Sequence, residues 1–344
     1  MDASPLRRAL TALANRQSLS ETQTAEVFGI VMNGEATPAQ IGGLLMGLRA
    51  KGETADELAG AARALRDAMV RVTAAHAHLV DTCGTGGGTV PTFNISTVAA
   101  FVAAGAGAVV PKHGNRSYTS RCGSADVLEA LGVRIVLDAA SASRVLNDAR
   151  LVFLFAPSFH PAMKHVGPVR RELGTPTLMN LIGPLANPAG VKRQVIGVAE
   201  SDRAAIVADA LVRLGAEHAL VVHGRVGMDE ISPHGVTDVW EVKDGAVRTW
   251  EIDPERFRLG ITDVAELQGG EPAANAERLE RILGNGSADS AGLSAVLLNA
   301  GAAIYVAGIA GSLAEGIGRA REVVASGAAR AALDRLRKAT ASIS

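Results

Sequence analysis

Between Asp81 and Gly132 the chain gathers residue types that suit a polyanion. Gly84-Thr85-Gly86-Gly87-Gly88 comes first, followed by Thr92 and by Asn94-Ile95-Ser96-Thr97. Lys112-His113-Gly114-Asn115-Arg116 and Ser117-Tyr118-Thr119-Ser120 come next, with Arg121 and Ser124 close behind. Glycines accept positive φ and let a ligand come close to the backbone. Their successive N–H groups can form an anion nest. Asn94–Thr97 precedes an apolar run, so its amides would open a helix whose N-terminus attracts negative charge. Lys112 and Arg116 supply fixed cations for phosphate, and the hydroxyls add donors. Singly, each piece has a plainer explanation, as a flexible turn, an N-cap or a solvated basic loop. Together they suit a phosphorylated sugar. Neither the P-loop nor the dinucleotide fingerprint is present.

Further along, Gly227-Met228-Asp229-Glu230 follows an apolar strand pattern, Ala219–His223. Adjacent carboxylates there suit Mg²⁺, which takes oxygen ligands and keeps waters. Standing alone, they would read as a solvated acidic pair. Arg170 and Arg171 lie on a helical stretch after His160-Pro161-Ala162-Met163-Lys164-His165, and one arginine could hold a carboxylate. His160 and His165 are acid/base candidates, although ordinary polar packing is the preferred reading of both.

These residues need a scaffold, and the patterns supply one. Residues 1–73 read as helices only, with capping-box starts at Ser20–Gln23, Thr37–Gln40 and Thr54–Glu57. Pro38 stands at a first helical position, and Gly34 and Gly52 supply stops. A small all-α domain is expected there, joined by part of 160–190. Residues 74–344 alternate between strand and helix patterns. Strands are expected at 78–81, Ala108–Val110, Val133–Leu137, Leu151–Phe155, Val195–Val198 and Ala219–His223. Helices are expected from Ser96 or Thr97 to Gly105, from a Ser124 cap to Gly132, and over Pro161–Leu173. Such alternation predicts an α/β fold with a mainly parallel central sheet flanked by helices. The Lys112 cluster would then follow a strand at the sheet's C-terminal edge, where ligands of such folds collect. Val236–Val242 and Ala246–Ile252 read as a hairpin around Lys243-Asp244-Gly245. The chain from about Ala273 reads as helical, and 174–190, with three prolines, as a crossover or hinge.

Composition narrows the function classes. The 344 residues are 48% hydrophobic with a formal net charge of −1. Bulk electrostatic binding of nucleic acid is therefore not expected. Aromatics are only 3%, too few for base-stacking platforms. Two cysteines, Cys83 and Cys122, make no disulfide framework and fit a reducing cytoplasm. The apolar run Val98–Val110 is shorter than the roughly 20 residues a bilayer needs, and no signal-peptide pattern surrounds Arg7 and Arg8. A cytoplasmic protein without membrane partners is the expectation.

The motifs resemble those of anthranilate phosphoribosyltransferases, enzymes of tryptophan biosynthesis. The resemblance rests on GTGG at 84–87, TFNIST at 92–97, KHGNRS at 112–117, GSADVLEALG at 123–132, HPAMKHVGPVRRELG at 160–174, NLIGPLANPAG at 180–190, MDEIS at 228–232 and LLNAGAAIYVAG at 297–308. It implies a nucleoside phosphorylase/phosphoribosyltransferase-like fold, a homodimer, and anthranilate and phosphoribosyl pyrophosphate as substrates. It implies that Gly84, Gly87, Gly88, Thr92, Asn94, Ile95, Ser96, Thr97, the 112–120 loop and Ser124 hold the phosphoribosyl pyrophosphate. Gly84, Asn115 and Arg170 would meet anthranilate, while Ser96, Asp229 and Glu230 would hold Mg²⁺. Lys112 and Arg116 would stabilise charge on the leaving group, with no general base assigned. One position departs, since Gly88 stands where the family usually has aspartate and is expected to alter donor or Mg²⁺ affinity. A nucleoside phosphorylase would instead split thymidine or uridine with phosphate. A non-catalytic relative would bind nucleotide or nucleic acid without turnover.

Overall fold

The computed structural model describes residues 4–77, 79–117, 121–284 and 288–343. Four helices come first: α1 (Pro5–Ala14), α2 (Glu21–Met32), α3 (Pro38–Lys51) and α4 (Ala55–Asp67). The last three start with the expected capping boxes, in which Ser20, Thr37 and Thr54 exchange hydrogen bonds with Gln23, Gln40 and Glu57. Each box satisfies two otherwise orphaned backbone donors. Glu57 also reaches across to accept the Leu19 N–H at 2.9 Å, tying the α1–α2 link to α4.

The chain then runs through β1 (Asp81–Gly84), α5 (Ile95–Gly105), β2 (Val110–Gly114), α6 (Ser124–Ala130), α7 (Ala139–Ala149) and β3 (Leu151–Phe155). Next come α8 (Ala156–Phe159), α9 (Met163–Leu173), α10 (Met179–Ile182), β4 (Arg193–Gly197), α11 (Ser201–Arg213) and β5 (His218–Gly224). The hairpin β6 (Thr237–Lys243) and β7 (Ala246–Ile252) precedes α12 (Pro272–Gly284), α13 (Ser290–Val306), α14 (Leu313–Ala325) and α15 (Ala328–Ala341). Five strands form one sheet in the order β1-β4-β5-β6-β7, and β2 and β3 pair separately. The β1–β4, β4–β5 and β2–β3 pairings are parallel. Only the hairpin strands run antiparallel. Asp244 and Gly245 turn it with φ of 52° and 73°, as a two-residue hairpin loop requires.

Strands buried on both faces divide two apolar cores between them. Val195, Leu220 and Val222 join α5, α13 and α15 in the larger core. Ile196, Ala219 and Val221 face the other way, into a core with α1–α4 and α11. Val166 and Val169 of α9 and Met179 and Ile182 of α10 belong to that second core. The helical region is thus packed directly on one face of the sheet.

Two element expectations need correction. The strand expected at Ala108–Val110 begins at Val110 and continues to Gly114, so Lys112 and His113 lie within it rather than beyond it. The strand expected at Val133–Leu137 does not form. Its side chains alternate between buried and exposed, but its backbone lies against α15, where the Arg134 N–H donates to Thr340 Oγ1 at 3.4 Å. A helix therefore takes the place of a partner strand. Smaller shifts occur at helix starts, for α5 begins at Ile95 and Gly123 rather than Ser124 occupies the N-cap of α6. Of the strand expected at 78–81, His78 lies outside the described residues, Leu79 makes a single parallel bridge to Val109, and Asp81 opens β1.

Candidate active site

The C-terminal ends of β1, β2 and β4 open into a cleft of about 1320 Å³. The glycine loop forms its floor. Gly86 and Gly87 take φ of 71° and 84°, a conformation that costs glycine nothing. The loop is fastened at both ends, by the Thr85 N–H on Gly197 O at 2.9 Å and the Thr89 N–H on Gly227 O at 2.9 Å. Between them the Gly86 N–H donates to Asp229 Oδ2 at 2.9 Å. The absence of side chains is what admits this carboxylate. A methyl at Gly84 would lie 2.7 Å from Asp229 Oδ2, and one at Gly88 would lie 2.9 Å from Asp229 Oδ1.

Asp229 and Glu230 follow β5 and reach the loop from the opposite side. Glu230 Oε1 accepts the Ser96 N–H at 3.1 Å, in the first turn of α5. Desolvation pushes the Glu230 carboxyl up to about 8, and the Asp229 charge adds to the rise. Desolvation raises Asp229 too. Lys112 and the Ser96 amide oppose the rise at Glu230 without offsetting the burial of the two neighbouring carboxylates. These carboxylates fit a divalent cation that takes oxygen ligands from both and from a hydroxyl and fills the rest with water or phosphate. Among the described residues no cluster of three His, Cys, Asp or Glu side chains offers an all-protein metal cage.

The structure places the remaining donor-site candidates around this point with one exception. Thr92 bridges to Gln268, and Asn94, Ser96 and Thr97 line the cleft at the start of α5. Ile95 does not line it, because its side chain is fully buried in the larger core. Lys112 is 3% exposed, and its Nζ donates to Thr82 O and lies 3.4 Å from Ser96 Oγ. It therefore braces β1 and α5 from beneath rather than standing free in solvent. Gly114, Asn115, Arg116, Ser117 and Ser124 follow along the rim. Arg116 is paired with Asp126 at 2.7 Å and with Glu129 at 2.6 Å, and its guanidinium sits 5.7 Å from the Phe155 ring centroid. Exposed pairs of this kind are worth about 1 kcal/mol or less, so an arriving phosphate can compete for the guanidinium. Tyr118, Thr119 and Ser120 lie outside the described residues.

The facing wall is carried by α9 and the 176–184 segment. Arg170 and His160 line it, with Pro176 and Met179 beside them. His113 reaches over from β2, and its Nε2 lies 3.2 Å from His160 Nε2. Burial lowers His113 to about 3 and His160 to about 4, so both imidazoles are neutral at pH 7.

Some residues of the cleft carried no visible signal in the sequence. Asp81 is completely buried, accepts the His113 N–H at 3.2 Å and the Asn187 amide at 2.8 Å, and so joins β1, β2 and the 180–190 segment. Asn187 also donates to Pro111 O at 2.7 Å. Gln268, Gly269 and Gly270 close one side. Such roles depend on partners 30 to 180 positions away, which no local pattern displays.

A helical bundle packed on an α/β sheet with an anion-ready cleft defines a two-domain glycosyl transferase. Residues 7–69 match the helical bundle domain of the glycosyl transferase family, and residues 76–330 match its α/β domain. The chain is 49% identical over 331 residues to the anthranilate phosphoribosyltransferase of Laribacter hongkongensis, covering 96% of each chain. It is 50% identical over 330 residues to that of Rubrobacter xylanophilus, again covering 96% of each. Among solved structures, the Thermus thermophilus anthranilate phosphoribosyltransferase superposes with a TM-score of 0.92 at 42% identity, over 97% of this chain and 99% of that one. The Saccharomyces cerevisiae enzyme, solved in complex with PRPP and Mg, gives 0.90 at 27% identity over 99% of both. The chain belongs to the anthranilate phosphoribosyltransferase family. These relatives favour that reading over a nucleoside phosphorylase or a non-catalytic binding protein.

Proposed function

We propose that this chain transfers the phosphoribosyl group of phosphoribosyl pyrophosphate to the amine of anthranilate. The products are N-(5-phosphoribosyl)anthranilate and pyrophosphate, a step of tryptophan biosynthesis. The observation that carries the reading is the meeting of three elements at one point. Gly86 N–H sits on Asp229, Ser96 N–H sits on Glu230, and Lys112 Nζ lies 3.4 Å from Ser96 Oγ.

The ribose C1–O bond breaks as the anthranilate nitrogen bonds to C1, and positive charge builds on the ring while negative charge builds on the diphosphate. The amine is weakly basic and unprotonated at neutral pH, so its nucleophilicity needs no strong base. Its proton leaves to solvent or product after the C–N bond forms. The Gly86 and Ser96 amides are held by Asp229 and Glu230, so the remaining glycine-loop amides would meet that negative charge. Lys112 supports them, and Arg116 exchanges its surface carboxylates for phosphate. Gly84, Gly87, Gly88, Thr92, Asn94, Thr97, the 112–117 stretch and Ser124 form the donor site, with Ile95 contributing only backbone. Gly84, Asn115 and Arg170 hold anthranilate, Arg170 through the carboxylate. Orientation across the cleft supplies much of the remaining rate.

Asp229, Glu230 and Ser96 would hold Mg²⁺, which would neutralise diphosphate charge when bound. The support for this assignment is geometric: Asp229 and Glu230 meet the glycine loop and the first turn of α5 at one place. The homodimer rests on the family resemblance, and the cytoplasmic location on a two-cysteine composition that fits a reducing compartment. No helix among the described residues is long and apolar enough to cross a membrane. Mixing protein, anthranilate, phosphoribosyl pyrophosphate and Mg²⁺ should extinguish anthranilate fluorescence in step with pyrophosphate release. Undiminished fluorescence, or release of pyrophosphate without anthranilate, would overturn the assignment.

A further inference from the structure

Asn94 occupies the N-cap of α5, yet its side chain makes no capping bond. Its amide instead takes part in a transverse relay. The Gly270 N–H donates to Asn275 Oδ1 at 2.7 Å, and Asn275 Nδ2 donates to Asn94 Oδ1 at 3.0 Å. Asn94 Nδ2 in turn donates to the Cys122 carbonyl at 3.0 Å. The relay begins at a backbone N–H, which only donates, and ends at a backbone C=O, which only accepts. Each amide between them therefore has one orientation that satisfies its neighbours. Asn275 is 3% exposed, so no solvent stands ready to replace a lost partner.

The relay spans the donor side of the cleft. Gly270 ends the strip that is laid on the 91–93 stretch after the glycine loop by the Gly269 N–H on Pro91 O and the Phe93 N–H on Leu267 O. Arg278 clamps that strip from behind, donating to Glu266 O at 2.7 Å and Gln268 O at 3.1 Å, with its guanidinium 4.2 Å from the Phe93 ring centroid. Cys122 stands at the exit of the basic loop, next to Gly123, whose N–H is held by Asp126 at 2.8 Å. One end of the relay is thus fixed to the 268–270 strip, its middle to the first turn of α5, and its far end to the loop that carries Asn115 and Arg116.

We infer that Asn275 is a positioning residue for the phosphoribosyl pyrophosphate site, setting the spacing between the α5 start and the basic loop through the orientation of the Asn94 amide. This inference rests on the function proposed above and adds a residue from α12, outside every motif that identifies the donor site.

Asn275→Asp is a nearly isosteric test. The new carboxylate still accepts the Gly270 N–H but offers no donor to Asn94. The Asn94 amide must then turn, bringing its oxygen against the Cys122 carbonyl. One hydrogen bond lost and one repulsion gained should raise the donor KM about tenfold or more. The KM for anthranilate should rise less, because Arg170 of that site lies on the facing wall and only Asn115 of it is carried by the basic loop. Asn275→Ala removes the Gly270 acceptor as well as the Asn94 donor and should raise the same constant in the same direction. Donor and acceptor KM and Tm are measured for wild type and both variants by anthranilate fluorescence and thermal unfolding. A donor KM raised more than the acceptor KM in both variants supports the relay. Unchanged donor KM in both variants, or both KM values rising together with a fall in Tm, overturns it. A wild-type protein that consumes no anthranilate would instead bring down the functional reading.

Discussion

Glu230 and Glu241 sit on the same stretch of chain and have opposite environments. Glu230 follows β5 at the cleft, where desolvation and Asp229 push it up to about 8. Glu241 lies on β6, where His218 holds it down to about 2, against the desolvation that opposes this and with help from Tyr305 and Trp250. Glu241 Oε1 has His218 Nε2 at 2.8 Å and the Tyr305 hydroxyl at 2.7 Å, and Oε2 has Trp250 Nε1 at 3.0 Å. The rear carboxylate has its donors supplied by the fold. The front pair receives the Gly86 and Ser96 amides, and desolvation still dominates. The protein itself completes the acid at the rear, whereas at the cleft burial outweighs the amides and the Lys112 charge that oppose it.

Neutralising each acid should therefore have opposite consequences. Asp229→Asn should lower turnover on the order of a hundredfold or more, if Mg²⁺ and diphosphate meet there. Glu230 has its folded pKa raised, so the folded state holds a proton that the unfolded state has released between about pH 4.5 and 8, and stability falls as pH rises through that range. Glu230→Gln should flatten that slope in metal-free protein while lowering activity. Steady-state rates and urea midpoints across pH test both. A variant that keeps its activity, or that unfolds more readily than wild type at pH 8, contradicts the contrast.

At the rear, Glu241→Ala strips three donors of their acceptor and should cost about 3 kcal/mol of stability. Turnover at 25 °C should remain within about threefold, because the residue is outside the cleft. Glu241 is the depressed case, so its contribution is present above about pH 4.5 and is lost as pH falls through about 2. Trp250 fluorescence reports the same network directly. An activity loss without a stability loss would erase the distinction drawn between the two acids.

The acids at the cleft were legible in the sequence as a pair because they are adjacent and follow a strand, whereas Glu241 was not, because its three donors come from β5, β7 and α13. The same division runs through the fold. Capping boxes at Ser20, Thr37 and Thr54 are local signals and appear where the sequence places them. Lys112 sits inside β2 although Pro111-Lys112-His113-Gly114 resembles a loop, because a parallel partner, β3, and the buried Asp81 carboxylate hold polar residues extended there. Val133–Leu137 has the right period for a strand, but pairing is a property of the neighbour, and the neighbour is α15. Asn275 matters through partners distant in the chain and left no trace in its surroundings, and Asn187, although inside a recognised motif, shows its role only through Asp81 and Pro111.

Gly88 sharpens the comparison further, because it decides how far the front acids depend on the loop backbone. A Cβ there would lie 2.9 Å from Asp229 Oδ1 and 3.0 Å from Gly227 O. Contacts that short force either the loop or Asp229 to move. Gly88→Asp should therefore weaken the Gly86–Asp229 contact and bring a further carboxylate beside two raised ones. The expected result is a several-fold change in the Mg²⁺ concentration that gives half-maximal rate, or in donor KM, on the scale of one altered charged contact. Identical magnesium and donor dependence in this variant would show that the loop accommodates the side chain without disturbing Asp229.

The smallest effect belongs to the buried imidazoles. His113 and His160 are lowered to about 3 and 4, so the folded protein refuses protons that the unfolded chain accepts below about pH 6.5. Their contribution is complete above that value and declines as pH falls toward 4, the reverse of the slope assigned to Glu230 over the same interval. His160→Gln keeps a polar group opposite His113 and removes one of the two titrations. The urea midpoint of this variant should fall less steeply between pH 6.5 and 4.5 than that of wild type. Combined with Glu230→Gln, the two changes act on opposite slopes from separate walls and should add. A wild-type profile unchanged by His160→Gln would mean that the pair takes up its proton in the folded state, and the facing wall would then be polar and hydrated rather than closed.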